Sequence, residues 1–279
     1  MSKIPLANYI DNAVDWMQDS WGPALDILSE IQDNQVRFLT EFLSNTPWWL
    51  IVAIIGLIAW KASSIKLCIG SVLGLFLINN LELWEPFIET LVLVIWSAVI
   101  SMIIGFPLGI LSGKKNGFNS FIMPILDFMQ TMPSFVYLIP ALLLFGIGKV
   151  PAIFATVIFA MPPVIRLTDL GIRQVPTDLI EVGETFGCTT FQMLWKIQLP
   201  VAIPTIMTGV NQTMMLALSM VVISAMIGAG GLGAGVLESI AQLKNGQGFE
   251  FGIAVVIMAI ILDRILQGLG KSLQVDKDR

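Results

Sequence analysis

The sequence predicts an all-α integral membrane protein of about seven spans, on three observations. Of its 279 residues, 56% are hydrophobic and 13% charged, whereas soluble globular chains average about 45–50% and about 25%. The mean hydropathy is +0.82. The apolar residues also fall in blocks divided by short charged stretches, several of them near the roughly 20 residues a spanning helix needs. A soluble enzyme, a disordered chain and a collagen-like fibre are excluded by this composition. The net charge of −5 without a basic stripe argues against a nucleic-acid partner. Cys68 and Cys188 lie far apart with no CxxC neighbour, so neither a disulfide framework nor a zinc site is expected. Histidine is absent, which removes the commonest general base and metal ligand.

Residues 1–46 are acidic, with Asp11, Asp15, Asp19, Asp26, Glu30, Asp33 and Glu41 against Lys3 and Arg37. Ile10, Val14, Met17, Trp21, Leu25, Leu28 and Ile31 recur at helical spacing, which predicts one or two amphipathic helices broken near Gly22-Pro23. The segment lacks the basic start and cleavage site of a signal peptide. It is either a surface helix with a solvated acidic face or an interfacial helix on the outer leaflet. Residues 48–60 and 66–81 are short apolar runs, either two spans or one re-entrant hairpin. Stronger runs follow at 87–111, 121–147 (interrupted by Pro133 and Pro140), 151–166, 200–227 and 251–270.

Lys and Arg near span ends favour the cytoplasm. Lys61 and Lys66, Lys114 and Lys115, then Arg166, Arg173 and Lys196, and the tail with Lys271, Lys277 and Arg279 fall on one side of a seven-span arrangement. The acidic amino end, Glu82-Glu85-Glu89, the 148–150 turn and the 228–250 loop fall on the other. The amino terminus is thus expected outside and the carboxyl terminus in the cytoplasm. This divides the chain into an amino-terminal helical segment 1–46, two short peripheral spans over 47–84, a five-span core 85–272 with a cytoplasmic loop 170–199, and a tail 273–279.

That loop is the most informative stretch. Pro176 and Asp178 start a helix whose acidic first turn suits the dipole. Gly187 ends it, a second short helix follows over 190–198, and Pro200 opens the next span. Glu181, Val182, Gly183, then Gly187, then Ile197-x-Leu199-Pro200 resembles the EAA loop of binding-protein-dependent ABC importer permeases. Val182 and Gly183 stand where the family has two alanines, and glycine there is expected to loosen the helix by about 1 kcal/mol relative to alanine. The runs 126–138, 159–167, 209–222 and 261–264 are similar to permeases of the glycine betaine/proline betaine osmoprotectant uptake group. The resemblance covers residues 85–270 or so.

It implies a type I ABC importer transmembrane domain, a homodimer in the cell membrane of a bacterium. The implied partners are cytoplasmic ABC ATPase subunits, which bind ATP and Mg, and an extracellular substrate-binding protein, expected as a separate polypeptide because the chain stops at Arg279. The implied function is ATP-driven import of glycine betaine or a related quaternary-ammonium osmoprotectant, with the coupling loop carrying force from the ATPase. No cofactor is expected in this chain, and it is not expected to be an enzyme. The rival from another class is a secondary transporter driven by an ion gradient, which often shows an internal repeat and mid-membrane charges; neither is evident. An intramembrane enzyme is disfavoured by the lack of an acid-base set.

Residues 228–233 match GxGxxG literally but follow an apolar span, so a flexible, close-packed turn is expected rather than a dinucleotide site. Gly270-Lys271-Ser272 lacks the upstream glycine of a phosphate loop, Ile265 standing there. Polar residues within spans either bond between helices or line a path. Gln130, Thr131, Ser134, Asn211, Gln212, Thr213, Met215 and Ser219 are the candidates for a translocation path. Arg264 is expected to pair with a carboxylate on another helix, Asp127 being one candidate.

Overall fold

The computed structural model describes residues 6–275, all helical or in the turns between helices. Lys3, Lys277 and Arg279, which enter the loop-charge reading, lie outside the described residues. The first helix, α1, runs unbroken over Leu6–Asn45. The expected break at Gly22-Pro23 does not occur. Proline's ring chiefly clashes with the Cβ and N–H of the residue before it, and Gly22 has no Cβ. Asp19, whose carbonyl loses its donor, is exposed to solvent. The helix is also pinned on both sides of the proline: Gln18 Nε2 donates to the Leu143 carbonyl at 2.6 Å, and Trp96 Nε1 donates to Gln32 Oε1 at 2.6 Å. Val36 is fully buried against the core, while Trp16, Trp21, Ile27, Ile31, Phe38 and Phe42 are exposed.

Pro47 caps a sharp corner into α2 (Trp48–Ala62), which lies at 102° to Val14–Asn45. Ser64 then caps α3 (Ile65–Asn80), its hydroxyl accepting from Leu67 N. α2 has 15 residues and α3 has 16, so each rises only about 22–24 Å at 1.5 Å per residue. They pack on each other and on the carboxyl-terminal helix.

Three long helices form the centre: α4 (Trp84–Lys114); α7 (Lys149–Arg173), the seventh in order; and α10 (Leu199–Ile223). α4, α7 and the continuous helix Thr190–Ile227 are each long and apolar enough to cross a membrane. Small residues let them approach closely, as expected where lipid supplies no hydrophobic drive between helices. Gly105, Gly109 and Gly113 form a four-residue repeat along α4. A methyl at these positions would lie 2.3 Å from Val164 Cγ1, 2.6 Å from Thr168 Cβ and 2.9 Å from Ile172 Cβ on α7. Gly171 of α7 meets Ala202 of α10 in the same way, and Gly209 of α10 meets Leu167 and the Pro163 carbonyl. Phe87, Ile88, Leu93 and Val94 fill the core beyond the glycine repeat and are essentially inaccessible.

The run at 121–147 is not one straight helix. α5 (Asn116–Thr131) stops at Met132-Pro133, and a short 3-10 turn, Ser134–Tyr137, leads into α6 (Leu138–Phe145) at 109°. Met132 is extended, at ψ 133°, as a residue preceding proline should be. Pro140 causes no break because it lies in the first turn of α6, where no N–H is required. Asp127 pairs with Arg166 of α7, not with Arg264. α5 lies along α7, whereas Arg264 sits on α12 (Asn245–Val275), which packs on α10, α2 and α11 (Gly231–Ala241). The nearest carboxylate to Arg264 is its neighbour Asp263, at 3.9 Å.

The glycine-rich stretch 228–233 folds back onto the start of α4. Gly231 N donates to Glu89 Oε2 at 2.9 Å, and Leu232 N donates to Thr90 Oγ1 at 2.8 Å. Gly231 has φ +67°, and a methyl there would sit 2.3 Å from Thr90 Oγ1, so the position demands glycine. Glu89 also holds Lys149 at 2.9 Å, which ties the starts of α4, α7 and α11 together.

Candidate functional site

The loop after α7 starts later than the apolar run suggests. α7 continues past Arg166 to Arg173, because Thr168, Asp169 and Ile172 are buried against α4. Val175 is also buried, and Pro176 then begins α8 (Thr177–Thr185), with Asp178 in its first turn. The helix ends in a Schellman motif. Gly187, at φ +72°, donates to the Glu184 carbonyl, and Cys188 N donates to the Gly183 carbonyl at 3.0 Å. Thr189 opens α9 (Thr190–Met193) with a capping box: Gln192 N donates to Thr189 Oγ1, and Thr189 N donates to Gln192 Oε1.

α9 was expected to end at Gln198 as a separate short helix. It runs instead through a π-turn, Leu194–Gln198, straight into α10. Pro200 has no N–H for the Lys196 carbonyl, and widening the turn so that Leu199 N donates to the Leu194 carbonyl passes the gap without a break. α9 is therefore the inner extension of a long helix.

Gly183 is where the loop is seated. It is buried, and a methyl there would stand 2.7 Å from both Ile197 Cδ1 and Met193 Cε. The missing side chain admits these two residues, and α8 is thereby seated on α9 and the π-turn. Ile197, Leu199 and Pro200 are half-buried at that seat. The opposite face is open. Leu179, Val182, Phe186, Phe191 and Trp195 are exposed, Phe186 by 84%. The rings of Phe191 and Trp195 lie against each other, tilted by 48° with centroids 5.9 Å apart. Pro176, Asp178 and Glu181 are exposed around them. A helix closed by a Schellman motif and a helix opened by a capping box display five exposed apolar side chains, a surface built for a partner.

A polar clasp that the loop's spacing does not announce holds its base. Asp169, 5% exposed, accepts at one oxygen from Ser112 Oγ (2.9 Å), Asn119 Nδ2 (2.9 Å) and Arg173 Nε (3.0 Å). Arg173 also donates to Asn116 Oδ1 and to the Ser112 carbonyl, both at 2.7 Å. Lys114 Nζ reaches the Thr190 carbonyl at 3.3 Å. The available sequence signal was the Asp169–Arg173 spacing of four on an apolar helix; the partners on the α4–α5 turn carried none.

The eight path candidates separate. Gln212, Met215 and Ser219 share one accessible face of α10 with Thr208 at spacings of four, three and four. Asn211 and Thr213 turn inward. Asn211 Nδ2 donates to Asp263 Oδ1 at 3.0 Å, and the buried Thr213 hydroxyl has no partner among the described residues. Gln130 and Thr131 lie on the exposed side of α5 just before its break, and Ser134 just after it is half-buried. Thr131 and Ser219 bond back to their own helices, at Phe128 and Met215.

A sequence model of the family described as "Binding-protein-dependent transport system inner membrane component" matches residues 105–274. The chain is 48% identical to the glycine betaine transport system permease protein OpuAB of Bacillus subtilis (strain 168), over 96% of this chain and 95% of that one. It is 49% identical to the glycine betaine/carnitine transport permease protein GbuB of Listeria monocytogenes serotype 1/2a (strain 10403S), over 96% of each. It is 44% identical to the glycine betaine/proline betaine transport system permease protein ProW of Escherichia coli (strain K12), over 96% of this chain and 76% of that one. Its fold is shared with a chain of the MetNI methionine ABC transporter in an inward-facing conformation, with a TM-score of 0.61 at 22% identity, over 66% of this chain and 93% of that chain.

Proposed function

The chain belongs to the family of binding-protein-dependent transport system inner membrane components, and we propose that it is the membrane-spanning permease subunit of an ATP-driven importer of glycine betaine or a related quaternary-ammonium solute. The observation that carries this reading is the α8–α9 loop. Its apolar face, Leu179, Val182, Phe186, Phe191 and Trp195, is left open on a frame fixed at the α8–α9 junction by a Schellman motif and a capping box, and at Gly183 by close packing. A cytoplasmic ATPase subunit, itself holding ATP and Mg, grips that face. Coupling requires that the ATPase favour one permease conformation over the other.

The rest of the reading follows from the same parts. On this reading the chain has seven spans, with the amino terminus outside and the carboxyl terminus inside, in a bacterial cell membrane. A second copy of the chain covers the accessible faces of α5 and α10, so that Gln130, Thr131, Gln212, Met215 and Ser219 line a path between the copies; polar groups there are better placed facing water than lipid. An extracellular binding protein delivers the solute and supplies most of the selectivity. α1 lies in the membrane interface. Its apolar side chains Trp16, Ile27, Ile31, Phe38 and Phe42 meet lipid while Asp15, Asp19, Asp26, Glu30 and Asp33 meet water.

The test is to purify the chain from cells co-expressing an ATPase and a receptor, and to measure betaine uptake in proteoliposomes. Co-purification of the ATPase, with uptake that needs ATP and survives an ionophore, is expected. Uptake abolished by the ionophore and indifferent to ATP would overturn the reading in favour of an ion-driven carrier.

A further inference from the structure

The turn between α4 and α5 carries more hydrogen-bonding side chains than its own geometry requires. Lys115, at the N-cap of α5, gives it no side-chain cap, although Asn116 and Asn119 stand in its first turn. Both amides are directed at α7 instead: Asn116 accepts from Arg173, and Asn119 donates to Asp169. Little else holds α5. Leu126 is its one buried side chain among the described residues, and Phe121 and Phe128 are each 65% exposed. Its other polar ties are a bond from Asn119 Nδ2 to Ser112 Oγ of α4 at 3.0 Å, the Asp127–Arg166 ion pair and the Tyr137 hydroxyl donating to the Met129 carbonyl. α5 is strapped to α7 by polar contacts at two levels, whereas α4 is locked to α7 by interdigitating glycines.

The upper strap ends where the loop begins. Arg173 is the last residue of α7, and only Gln174, Val175 and Pro176 separate it from α8. Lys114, on the same turn as Ser112, bonds the first residue of α9. The α4–α5 turn is therefore in contact with both sides of the α8–α9 connection. A buried carboxylate holding three donors, one of them from a guanidinium, does not let go easily. Displacement of the loop drags the turn, and the turn is the start of α5.

We propose that Asp169 and Arg173, with Asn116 and Asn119 as their partners on α5, are positioning residues that carry movement of the α8–α9 loop to α5, the helix that ends in Gln130 and Thr131. This rests on the transport reading. The experiment compares wild-type complex, Asn116→Ala/Asn119→Ala and Asn116→Asp in proteoliposomes with ATPase and receptor, measuring betaine taken up per ATP hydrolysed. Neither substitution removes a buried charge, and Ala or Asp suits a first helical turn. In the double Ala variant, hydrolysis is expected to continue at the wild-type rate while uptake per ATP falls about fivefold or more. Asn116→Asp keeps an acceptor for Arg173 and is expected to retain the wild-type ratio. A structural role alone would lower assembly, hydrolysis and uptake together and leave the ratio unchanged, and that result overturns the proposal; so does an Asn116→Asp variant as uncoupled as the double. If the double variant fails to assemble, Asn116→Ala alone, at an exposed position, is judged by the same ratio. A wild-type complex without ATP-dependent uptake overturns the transport reading and this inference with it, whereas a coupled wild type with unaltered variants overturns this inference alone.

Discussion

Gly109→Ala adds one methyl where α4 meets both a side chain and the backbone of α7. The new carbon would lie 2.6 Å from Thr168 Cβ and 2.8 Å from the Ile165 carbonyl oxygen, where ordinary contact begins at 3.4 Å. The shortfall is 0.8 Å against the first atom and 0.6 Å against the second. Neither obstacle is the tip of a flexible side chain, so no rotamer change relieves the clash and the helices must part. Overpacking of this kind costs about 1–3 kcal/mol, and an obstacle that includes backbone argues for the upper half. At about 2–4 °C per kcal/mol for a large chain, that corresponds to a fall of roughly 4–12 °C in the midpoint of thermal unfolding, read in detergent by size-exclusion chromatography of heated samples. Gly70→Ala is the control. It sits in the interior of α3 with nothing within 4 Å of the added carbon, so only helix propensity acts, and the midpoint should rise by the equivalent of up to about 1 kcal/mol. The reasoning is refuted if Gly109→Ala is as stable as wild type, or if both substitutions lower the midpoint alike.

Other consequences can be checked with the same preparation. Phe186→Asp and Phe191→Asp alter exposed side chains of the α8–α9 face, so the chain should keep its thermal midpoint while recovery of bound ATPase falls about tenfold or more, as loss of a central apolar anchor does at an interface. Gly187→Val forces a β-branched residue to a positive φ and should cost about 1–2 kcal/mol; faster amide hydrogen exchange over 182–188, with the α4 core unchanged, is the expected signature. Asp127→Ala leaves Arg166 without its carboxylate, and Asp127→Ala/Arg166→Met should recover part of the lost thermal midpoint; a double variant worse than the single would show that the pair matters for something other than mutual neutralisation. Gly231→Val combines a positive φ with a clash against Thr90 and should lower recovery of folded protein, whereas Gly246→Ala, with open space around it, should not.

What was legible in the sequence follows from range. The start of α8 at Pro176, its acidic first turn and its end at Gly187 are local effects, and they stand where the residue types put them. So do the apolar runs at 87–111 and 251–270, within α4 and α12. Prolines misled because their effect depends on register. Pro133 breaks a helix and Pro140 does not, since one follows a completed helix and the other falls in a first turn. Pro200 is absorbed by a π-turn, and Pro23 follows a residue without Cβ. Pairing was out of reach for a different reason: whether Asp127 meets Arg166 or Arg264 depends on which helix α5 lies against, and hydropathy carries no such information. Gly183 shows the same limit from the other side. Its helix cost is readable from one sequence, but the Met193 and Ile197 that occupy its missing side chain are not.

The distribution of contacts within the centre also decides which parts can move. α4, α7 and α10 touch through glycine and alanine at backbone distance, and a packed interface of that sort is effectively all or none. Glu89 with Lys149 and Gly231 fastens one end of the α4–α7 pair, and Asp169 with Arg173 and Ser112 fastens the other. The three helices therefore behave as one block. α5 and α8 are different. α5 has a single buried side chain and α8 buries only its glycine, Gly183, among the described residues, and α5 is held by side-chain polar bonds to α4 and α7 together with the Tyr137 hydroxyl on Met129. Polar straps can exchange partners within a few ångströms, whereas a glycine seam can only stay shut or come apart. Movement arriving at the exposed face of α8 and α9 consequently has two outlets: rotation of the whole block, or a change in the straps that reorients α5 and its break at Pro133. Uptake per ATP in the Asn116 and Asn119 variants separates these outlets, because rotation of the block would leave the ratio intact and strap exchange would not.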